Sequence, residues 1–436
     1  MANLSSARTN AAGEAMTPAS YQLTSVLITT NNEVEYDITN LVGEIVVNES
    51  LFVSTIETEL AIIDGINFFE RAKLTGNEKI QIKIGRTEPN NVKKSHEIEC
   101  YIANIQDFSK PRPGVQVYKF KCISKHAYYN AFKRLNRSFK GSIGSLVYSI
   151  CIRDLDTYPF KVNRDTKGML KGIFPHLKPI DAIIWLLRNS TDNSTPFFFY
   201  ETLKDGLIFD SYESMLNEEV YNTYSTKPFY SEVPNTEENY EEAKTKIIKL
   251  SSEFDVGKYF AINDGAYASS VKTLDISTKK YQNNKFNYKN LLKLNNNLPF
   301  GTETKFDDEI LSNFTDSKIH HISLNKYSHN TRGDNYHKPI AESLAKKQAY
   351  HVNLGYMGQD IMIYGDFDIS VGKVIELEIY KASDEKLLEE DRKNMIDKMQ
   401  SGKYLVVSLA HIFDGEEYTI DLGLQKDSSV LNLDEE

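Results

Sequence analysis

The chain has 436 residues, of which 40% are hydrophobic and 26% charged, and its formal net charge at pH 7 is −10. This length suggests roughly three domains, and the acidic balance argues against a protein that clamps nucleic acid with its whole surface. Cys100, Cys122 and Cys151 lie far apart without a C-x-x-C pair, which argues against a disulfide framework or a cysteine zinc site.

The N-terminal part of the sequence predicts an arm followed by a β domain. Residues 1–20 carry no periodic pattern and are interpreted as a flexible N-terminal arm. From Tyr21 onward, apolar and polar residues alternate, strictly so over 79–84, which is typical of half-buried strands. Several short strands of this kind predict a tube-like β-barrel domain over 21–125.

The hydrophobic period changes to that of helices over 126–240, which predicts a mixed α/β middle domain. Ser142 precedes an apolar stripe at helical spacing and predicts an N-cap, and Pro179 opens a second such stripe. Asp205-Gly206 lies between two apolar runs and predicts a hairpin turn.

Residues 241–436 predict a second tube-like β-barrel domain. The segment from about 281 to 316 is rich in asparagine and unpatterned, which predicts a long loop or insertion, and strands are expected to resume near Ile322. A strand–turn–strand unit over 360–379 and a closing hairpin over 401–427 complete the chain. The predicted fold class is mainly β with α+β insertions, with two barrels joined by a mixed helical and strand block.

The sequence lacks the short motifs of familiar enzyme sites: no G-x-x-x-x-G-K-[ST] loop, no G-x-G-x-x-G after a strand, no H-E-x-x-H and no G-x-S-x-G. His320 and His321 point to opposite faces of a strand, so they do not easily share a metal. The acidic pair Asp154/Asp156 fits a solvated loop better than a glycosidase site. We therefore predict no enzyme, with no catalytic, cofactor-binding or metal-binding residues and no cofactor.

The stretch 119–140 is basic and aromatic and contains no acidic residue. Such composition occurs where proteins bind single-stranded nucleic acid, and arginine and tyrosine are also typical of protein interfaces. In an acidic chain we favour a protein interface or a solvated face, with Arg134 and Arg137 as candidate interaction residues. Nucleic-acid binding is the alternative.

The C-terminal units, taken with the order of the pieces before them, resemble the baseplate hub subunit of contractile-tailed phages. The related spike-hub proteins of phage-like injection machines are broader relatives. The resemblance rests on the order of the similar stretches more than on any single motif. The chain departs from the family pattern in its asparagine-rich segment 281–316. The stretches are 49–65, 179–187, 197–209, 361–377 and 401–406, the last followed by His411.

This resemblance implies a homotrimer whose subunits each carry two tube-like barrels, so that six similar barrels surround a channel. Such a ring joins the sixfold tail tube to the threefold central spike in the tail baseplate of a virion, after synthesis in the host cytoplasm. The implied partners are a second and third copy, the central spike protein, and a tail tube or tube-initiator protein. Wedge or tape-measure proteins are further implied partners, and DNA is present only in transit.

Ring contacts are expected from edge strands, because a closed ring of heterologous contacts needs two complementary faces on each subunit. The candidate edge strands are 41–47 in the first barrel and 374–379 and 404–409 in the second. Their candidate interaction residues are Val42, Ile45, Val47, Ile375, Leu377, Ile379, Tyr404 and Val406. The net charge further predicts an acidic or neutral channel wall that does not retain DNA.

Two other functions of a tail protein remain open at this point. A cell-wall-degrading protein needs a nucleophile or a carboxylate constellation in a cleft. A receptor-binding protein binds carbohydrate or cells as an isolated chain.

Overall fold

The computed structural model describes residues 18–87, 93–157, 160–190, 195–226, 237–253, 263–265, 268–287, 317–327, 336–355, 357–381, 396–415 and 417–427. Within these residues the protein is mainly β, as predicted, with one 13-stranded sheet and three small sheets. No helix within these ranges is long and apolar enough to cross a membrane.

The first β module is the N-terminal part of the large sheet, where neighbouring strands run antiparallel in the order β3-β4-β7-β6-β5-β1-β2. Its alternating pattern buries one face, as the fully buried Ile80 and Ile82 of β5 show. The module contains β1 (Gln22–Thr29), β2 (Glu35–Asp37), β3 (Val42–Ser50), β4 (Glu57–Asp64), α1 (Phe68–Ala72), β5 (Lys79–Thr87), β6 (Lys93–Arg112) and β7 (Val115–Ser124).

The second β module continues the same sheet in the order β14-β18-β21-β20, with β19 paired to β20 and β13 paired in parallel to β19. Its strands are β13 (Thr223–Ser225), β14 (Ile247–Glu253), β18 (Met357–Tyr364), β19 (Val374–Glu378), β20 (Gly402–Phe413) and β21 (Tyr418–Lys426), and α6 (Glu237–Lys244) precedes β14. The predicted closing hairpin is therefore confirmed as β20–β21.

The two modules join by antiparallel pairing between β3 and β20, from Ile45↔Phe413 to Ser50↔Ser408. Both modules also share one continuous hydrophobic core. Among the described strands the large sheet stays open, with β14 and β2 at its two ends. The two modules are therefore parts of one structural body.

The middle block contains a second hydrophobic core. Its hairpin β11–β12 lies between this second core and the core of the two β modules. In β11, Phe197 and Phe199 belong to the second core, whereas Phe198 and Tyr200 belong to the first. The block contains α2 (Lys125–Phe132), β8 (Ser138–Gly141), α3 (Ile143–Asp154), β9 (Lys161–Val162), β10 (Leu170–Ile173), α4 (Pro179–Asn189), β11 (Phe197–Thr202), β12 (Gly206–Ser211) and α5 (Tyr212–Leu216).

A three-stranded satellite sheet lies inside the predicted second barrel domain. It contains β15 (Ala268–Asp275), β16 (Lys280–Asn287) and β17 (Ile319–Leu324), and α7 (His337–Leu354) packs on it. Val271 of the sheet and Ala341, Ala345 and Ala349 of the helix form a small core. These alanines lie four residues apart, which aligns them along one face of the helix.

The structure confirms the predicted helices that begin after Ser142 and at Pro179, and the hairpin turn at Asp205-Gly206. Ser142 accepts a hydrogen bond from the backbone N–H of Ser145, which is the expected N-cap contact.

Two expectations need correction, and one helix was not predicted. Residues 281–287 of the expected insertion form β16, because pairing with β15 outweighs the low strand propensity of asparagine. The helix α7 was not predicted, since its apolar face consists mainly of alanines. Ala19, at the end of the predicted arm, is buried and its carbonyl accepts the N–H of Tyr418 at 2.8 Å. Residues 1–17 of the arm and 288–316 of the insertion lie outside the described residues.

Candidate functional site

The junction between the two β modules carries a group of buried polar side chains. Glu49 of β3, His411 of β20, Tyr418 of β21 and Asp366 after β18 are each at most 2% exposed, and we refer to them as the junction cluster. Glu49 follows Ile45 and Val47 at period two, so the strand directs its carboxylate into the core. A buried carboxylate is costly unless it is hydrogen-bonded.

Glu49 meets this requirement with hydrogen bonds to two separate parts of the chain. Its Oε1 accepts the backbone N–H of Leu203 in the β11–β12 turn at 2.6 Å, and its Oε2 accepts that of Val371 at 3.3 Å. The Nε2 atom of His411 lies 3.6 Å from Oε1. One carboxylate thus ties β3 to the middle block and to the connection between β18 and β19, and it lies beside His411 of β20.

His411, Tyr418 and Asp366 form the other half of the cluster. The Tyr418 hydroxyl donates to the Asp366 backbone carbonyl at 3.1 Å, so it accepts the Nδ1–H of His411 at 2.8 Å. The Asp366 carboxylate accepts from the Tyr221 hydroxyl at 2.7 Å, and the Lys244 ammonium lies 3.5 Å away. Burial raises the pKa of the Tyr418 hydroxyl well above its usual range, which keeps it a donor.

Side chains of the first β module bond the residues on both sides of Asp366. Arg86 Nη1 donates to the Gly365 carbonyl at 2.8 Å, and its guanidinium lies 5.4 Å from the centroid of the Phe367 ring. His96 stacks on the same ring and its Nε2 lies 2.9 Å from the Phe367 carbonyl. Burial, the largest influence, lowers the pKa of His96. This part of the second module is therefore held by side chains of the first.

Glu201, at the end of β11, makes a second buried connection. It accepts the Ile56 N–H at 3.0 Å and the Ser124 hydroxyl at 2.7 Å, and His126 Nδ1 lies 2.5 Å from its other oxygen. The middle block is thereby bonded to the first module through a carboxylate that is only 6% exposed.

These contacts make the junction cluster a buried site that links separate parts of the chain. Within the described part of the chain, no group of three or more His, Cys, Asp or Glu side chains is arranged to hold a metal ion. His320 and His321 lie on β17. Of the residues that the sequence places near them, His337 begins α7, where its Nδ1 lies 2.8 Å from the Thr273 hydroxyl, and His329 and Asp334 lie outside the described residues.

The predicted interaction residues of the three strands lie inside the chain. Their burial is complete or nearly so, from 0% to 4% exposed: Val42, Ile45, Val47, Ile375, Leu377, Ile379, Tyr404 and Val406. Their assignment to edge strands is wrong, because β3 pairs with β4 and β20, β20 pairs with β3 and β21, and β19 pairs with β13 and β20. Each strand is flanked on both sides within one chain.

The two predicted arginines differ in their surroundings. Arg137 forms a two-point ion pair with Asp154, at 3.0 and 2.5 Å, which raises the pKa of the arginine. Arg134 is exposed and donates to the nearby carbonyls of Ala131 and Lys133. Arg137 thus serves the middle block itself, and Arg134 is available to a partner.

Sequence reasoning assigned no role to Glu49, Asp366 or Glu201. The sequence contains one indication for Glu49: it follows Ile45 and Val47 at period two, so a charged residue stands where the alternation predicts a buried one. No local pattern marks Asp366, whose partners come from Tyr221 and Lys244, more than a hundred residues away.

Comparison with known proteins finds no matching family model and no matching curated protein. Among solved structures, the chain is similar to a tail protein from Neisseria meningitidis, with 10% identity, a TM-score of 0.49, and coverage of 93% of this chain and 97% of that one. It is also similar to the 43 kDa tail protein of prophage MuSo2 from Shewanella oneidensis, with 7% identity, a TM-score of 0.49, and coverage of 92% and 98%.

A third similar structure is an E. coli component of the type VI secretion system, which resembles phage T4 tail proteins. It shows 8% identity and a TM-score of 0.41, and the match covers 94% of this chain and 77% of that one. The structural neighbours are thus tail proteins and a secretion-system component. At these identities and TM-scores they identify no function for this chain.

Proposed function

We propose that this chain is a structural subunit of the baseplate in a phage-type contractile tail. In this role it forms a homotrimeric hub ring that joins the tail tube to the central spike. The observation that carries the proposal is the pairing of two β modules through β3 and β20 into one 13-stranded sheet. The ordered sequence resemblance to hub subunits supports the same role.

A hub subunit must present two wall segments at a constant relative position, because three subunits then provide six segments around one channel. The junction cluster meets this requirement, since Glu49 and Asp366 bond both β modules and the middle block. Hydrogen bonds depend on distance and direction, so these bonds restrict how the bonded parts lie relative to each other. In this proposal each β module forms one tube-like barrel unit of the assembled ring.

The proposed partners are two further copies of the chain, the central spike protein, and a tail tube or tube-initiator protein. Wedge or tape-measure proteins are additional candidates, and DNA passes through the channel without lasting contact. The proposal places the protein in the virion tail and assigns it no catalytic activity. The net charge of −10 is consistent with a channel wall that repels DNA phosphates.

The test is the mass of the purified chain by light scattering, followed by negative-stain imaging, alone and with a candidate spike protein. We expect a trimer with a central hole and a pseudo-sixfold outline. A chain that stays monomeric at every concentration and also with the spike protein would contradict the hub role. Digestion of cell wall or polysaccharide by the purified chain would favour a cell-wall-degrading protein, and binding of carbohydrate or cells a receptor-binding protein.

A further inference from the structure

An open groove lies in the middle block, between the two-stranded ribbon β8–β10 and Tyr327, which follows β17. Its volume is about 490 Å³, and its lining includes Lys140 of β8 and Lys171 and Ile173 of β10. We call it the basic groove. Lys140 belongs to the basic stretch 119–140, which contributes no residue to the junction cluster.

The positive charges of the two lysines lie close together, which is unfavourable in the isolated chain. Lys140 and Lys171 are directly opposite each other in the antiparallel register, and both are exposed. Like charges at directly opposite positions destabilise a strand pair. Two other lysines on paired strands form ion pairs with acids: Lys83 with Glu97 at 3.2 Å, and Lys121 with Glu57 at 3.0 Å.

Arg86 and Lys94 form a second pair of cations at directly opposite positions, and both of these side chains have partners. Lys94 bonds Asp368 at 2.6 Å, and Arg86 donates to backbone carbonyls of Pro18 and Gly365. Neither Lys140 nor Lys171 has an ion-pair partner in the described part of the chain. The basic groove therefore offers two uncompensated positive charges at one position.

The groove also has an apolar part, which lies next to packed aromatic rings. Ile173 and Tyr327 are each 67% exposed. Beneath them, Phe139 stacks on Phe174 with ring centroids 4.3 Å apart, and Trp185 meets Phe139 edge-on. The groove thus combines two neighbouring cations with an exposed apolar surface that is backed by packed aromatic rings.

We propose that the basic groove binds an acidic polypeptide segment of a partner protein, in which an apolar side chain lies between carboxylates. The carboxylates pair with Lys140 and Lys171, and the apolar side chain covers Ile173 and Tyr327. A peptide fits better than single-stranded nucleic acid, because binding of the latter uses successive aromatic platforms and Tyr327 is the one exposed ring in the lining. The ribbon has only two strands among the described residues, so strand edges are available to a peptide backbone.

The test is fluorescence anisotropy of a labelled seven-residue peptide in which Glu and Leu alternate, titrated with the full chain. The comparison probes are the same peptide with Lys in place of Glu, a thymidine oligonucleotide and inorganic phosphate. We expect the acidic peptide to bind most tightly and its affinity to fall as salt is raised. We expect roughly tenfold weaker binding for the double variant Lys140→Glu and Lys171→Glu.

Matched controls separate this site from general electrostatics. The double variant Lys93→Glu and Lys110→Glu carries the same charge change on β6, in the first module, and should bind the peptide as the unmodified chain does. The variant Ile173→Ser should weaken the Glu–Leu peptide but leave a peptide of Glu and Ser unaffected. Equal losses in both double variants, tighter binding of the oligonucleotide, or no binding of the peptide would overturn the proposal.

Discussion

At the scale of single residues, buried carboxylates connect the parts of this chain. Glu49 and Glu201 accept hydrogen bonds from another module or block, and Asp366 accepts one from Tyr221, 145 residues away in the chain. Hydrophobic contacts alone hold two surfaces together without directing their angle, whereas hydrogen bonds depend on distance and direction. We infer that these three residues set how the modules lie relative to each other.

The variant Glu49→Ala tests this directly. It leaves the backbone N–H groups of Leu203 and Val371 buried without their acceptor, and we expect the free energy of unfolding to fall by about 3 kcal/mol. Urea denaturation measures this change. The control Glu35→Ala removes an exposed carboxylate of β2 and should alter stability by less than about 0.5 kcal/mol. Equal effects of the two variants would show that Glu49 is not a structural link.

Asp368 gives a pH dependence whose sign follows from its contacts. Burial alone raises the pKa of this carboxyl, but hydrogen bonds from Lys94 and Lys204 outweigh burial and lower the pKa to about 2. Because the folded value lies below the ordinary value of 3.8, the ion pairs contribute their full stability above about pH 4. That contribution is lost as the pH falls from 4 towards 2.

The variant Asp368→Asn should therefore be less stable than the unmodified chain at pH 6 and approach it between pH 4 and 2. Thermal unfolding at a series of pH values measures the difference. The side chain is 37% exposed, so we expect a small difference even at pH 6. A gap between the two proteins that stays constant down to pH 2 would contradict the assignment.

At the scale of elements, the contacts of α7 explain how the satellite sheet is attached. Lys347 of α7 is half-buried, and its ammonium donates to the carbonyls of Leu187 and Ser190 at the C-terminal end of α4. Positive charge is favourable at that end of a helix. Three residues later, Tyr350 packs against Tyr212 of the middle block with ring centroids 5.7 Å apart. One face of α7 therefore covers the satellite sheet while other residues join the middle block.

Burial lowers the pKa of Lys347 to about 8, below its ordinary value of 10.5. Between these two values the unfolded chain binds more protons at this site than the folded chain, so this lysine makes stability rise with pH. We expect Lys347→Met to lose that rise between pH 8 and 10, as measured by urea denaturation. The neighbouring Lys346→Met, which removes an i,i+4 pair with Glu342, should keep it.

At the scale of the whole molecule, the continuous sheet makes the two β modules mutually dependent. β3 and β20 are interior strands because each is the neighbour of the other, and the hydrophobic core runs through both modules. A module separated from its partner would expose a long strand edge, which favours aggregation. The modules are therefore expected to unfold together.

Hydrogen exchange measures this cooperativity. Amides in β3 and β20 should be protected as strongly as those in β4 and β21, which lie inside the individual modules. Faster exchange along β3 and β20 than along their outer neighbours would show that the modules open independently. Such a result would remove the rigid pairing on which the proposed hub role depends.

The amino-acid sequence by itself determined the period of each segment, because alternation and helical spacing are local properties of the side chains. It thereby predicted the mainly β class, the helix after Ser142, the helix from Pro179 and the β20–β21 hairpin. Only the tertiary structure decided which strands are edges, since Val47 and Val406 look the same on an edge strand and on an interior strand. It also decided the partners of Asp366 and the strand pairing of the asparagine-rich 281–287. Those outcomes depend on residues far away in the chain, whose approach no local pattern records.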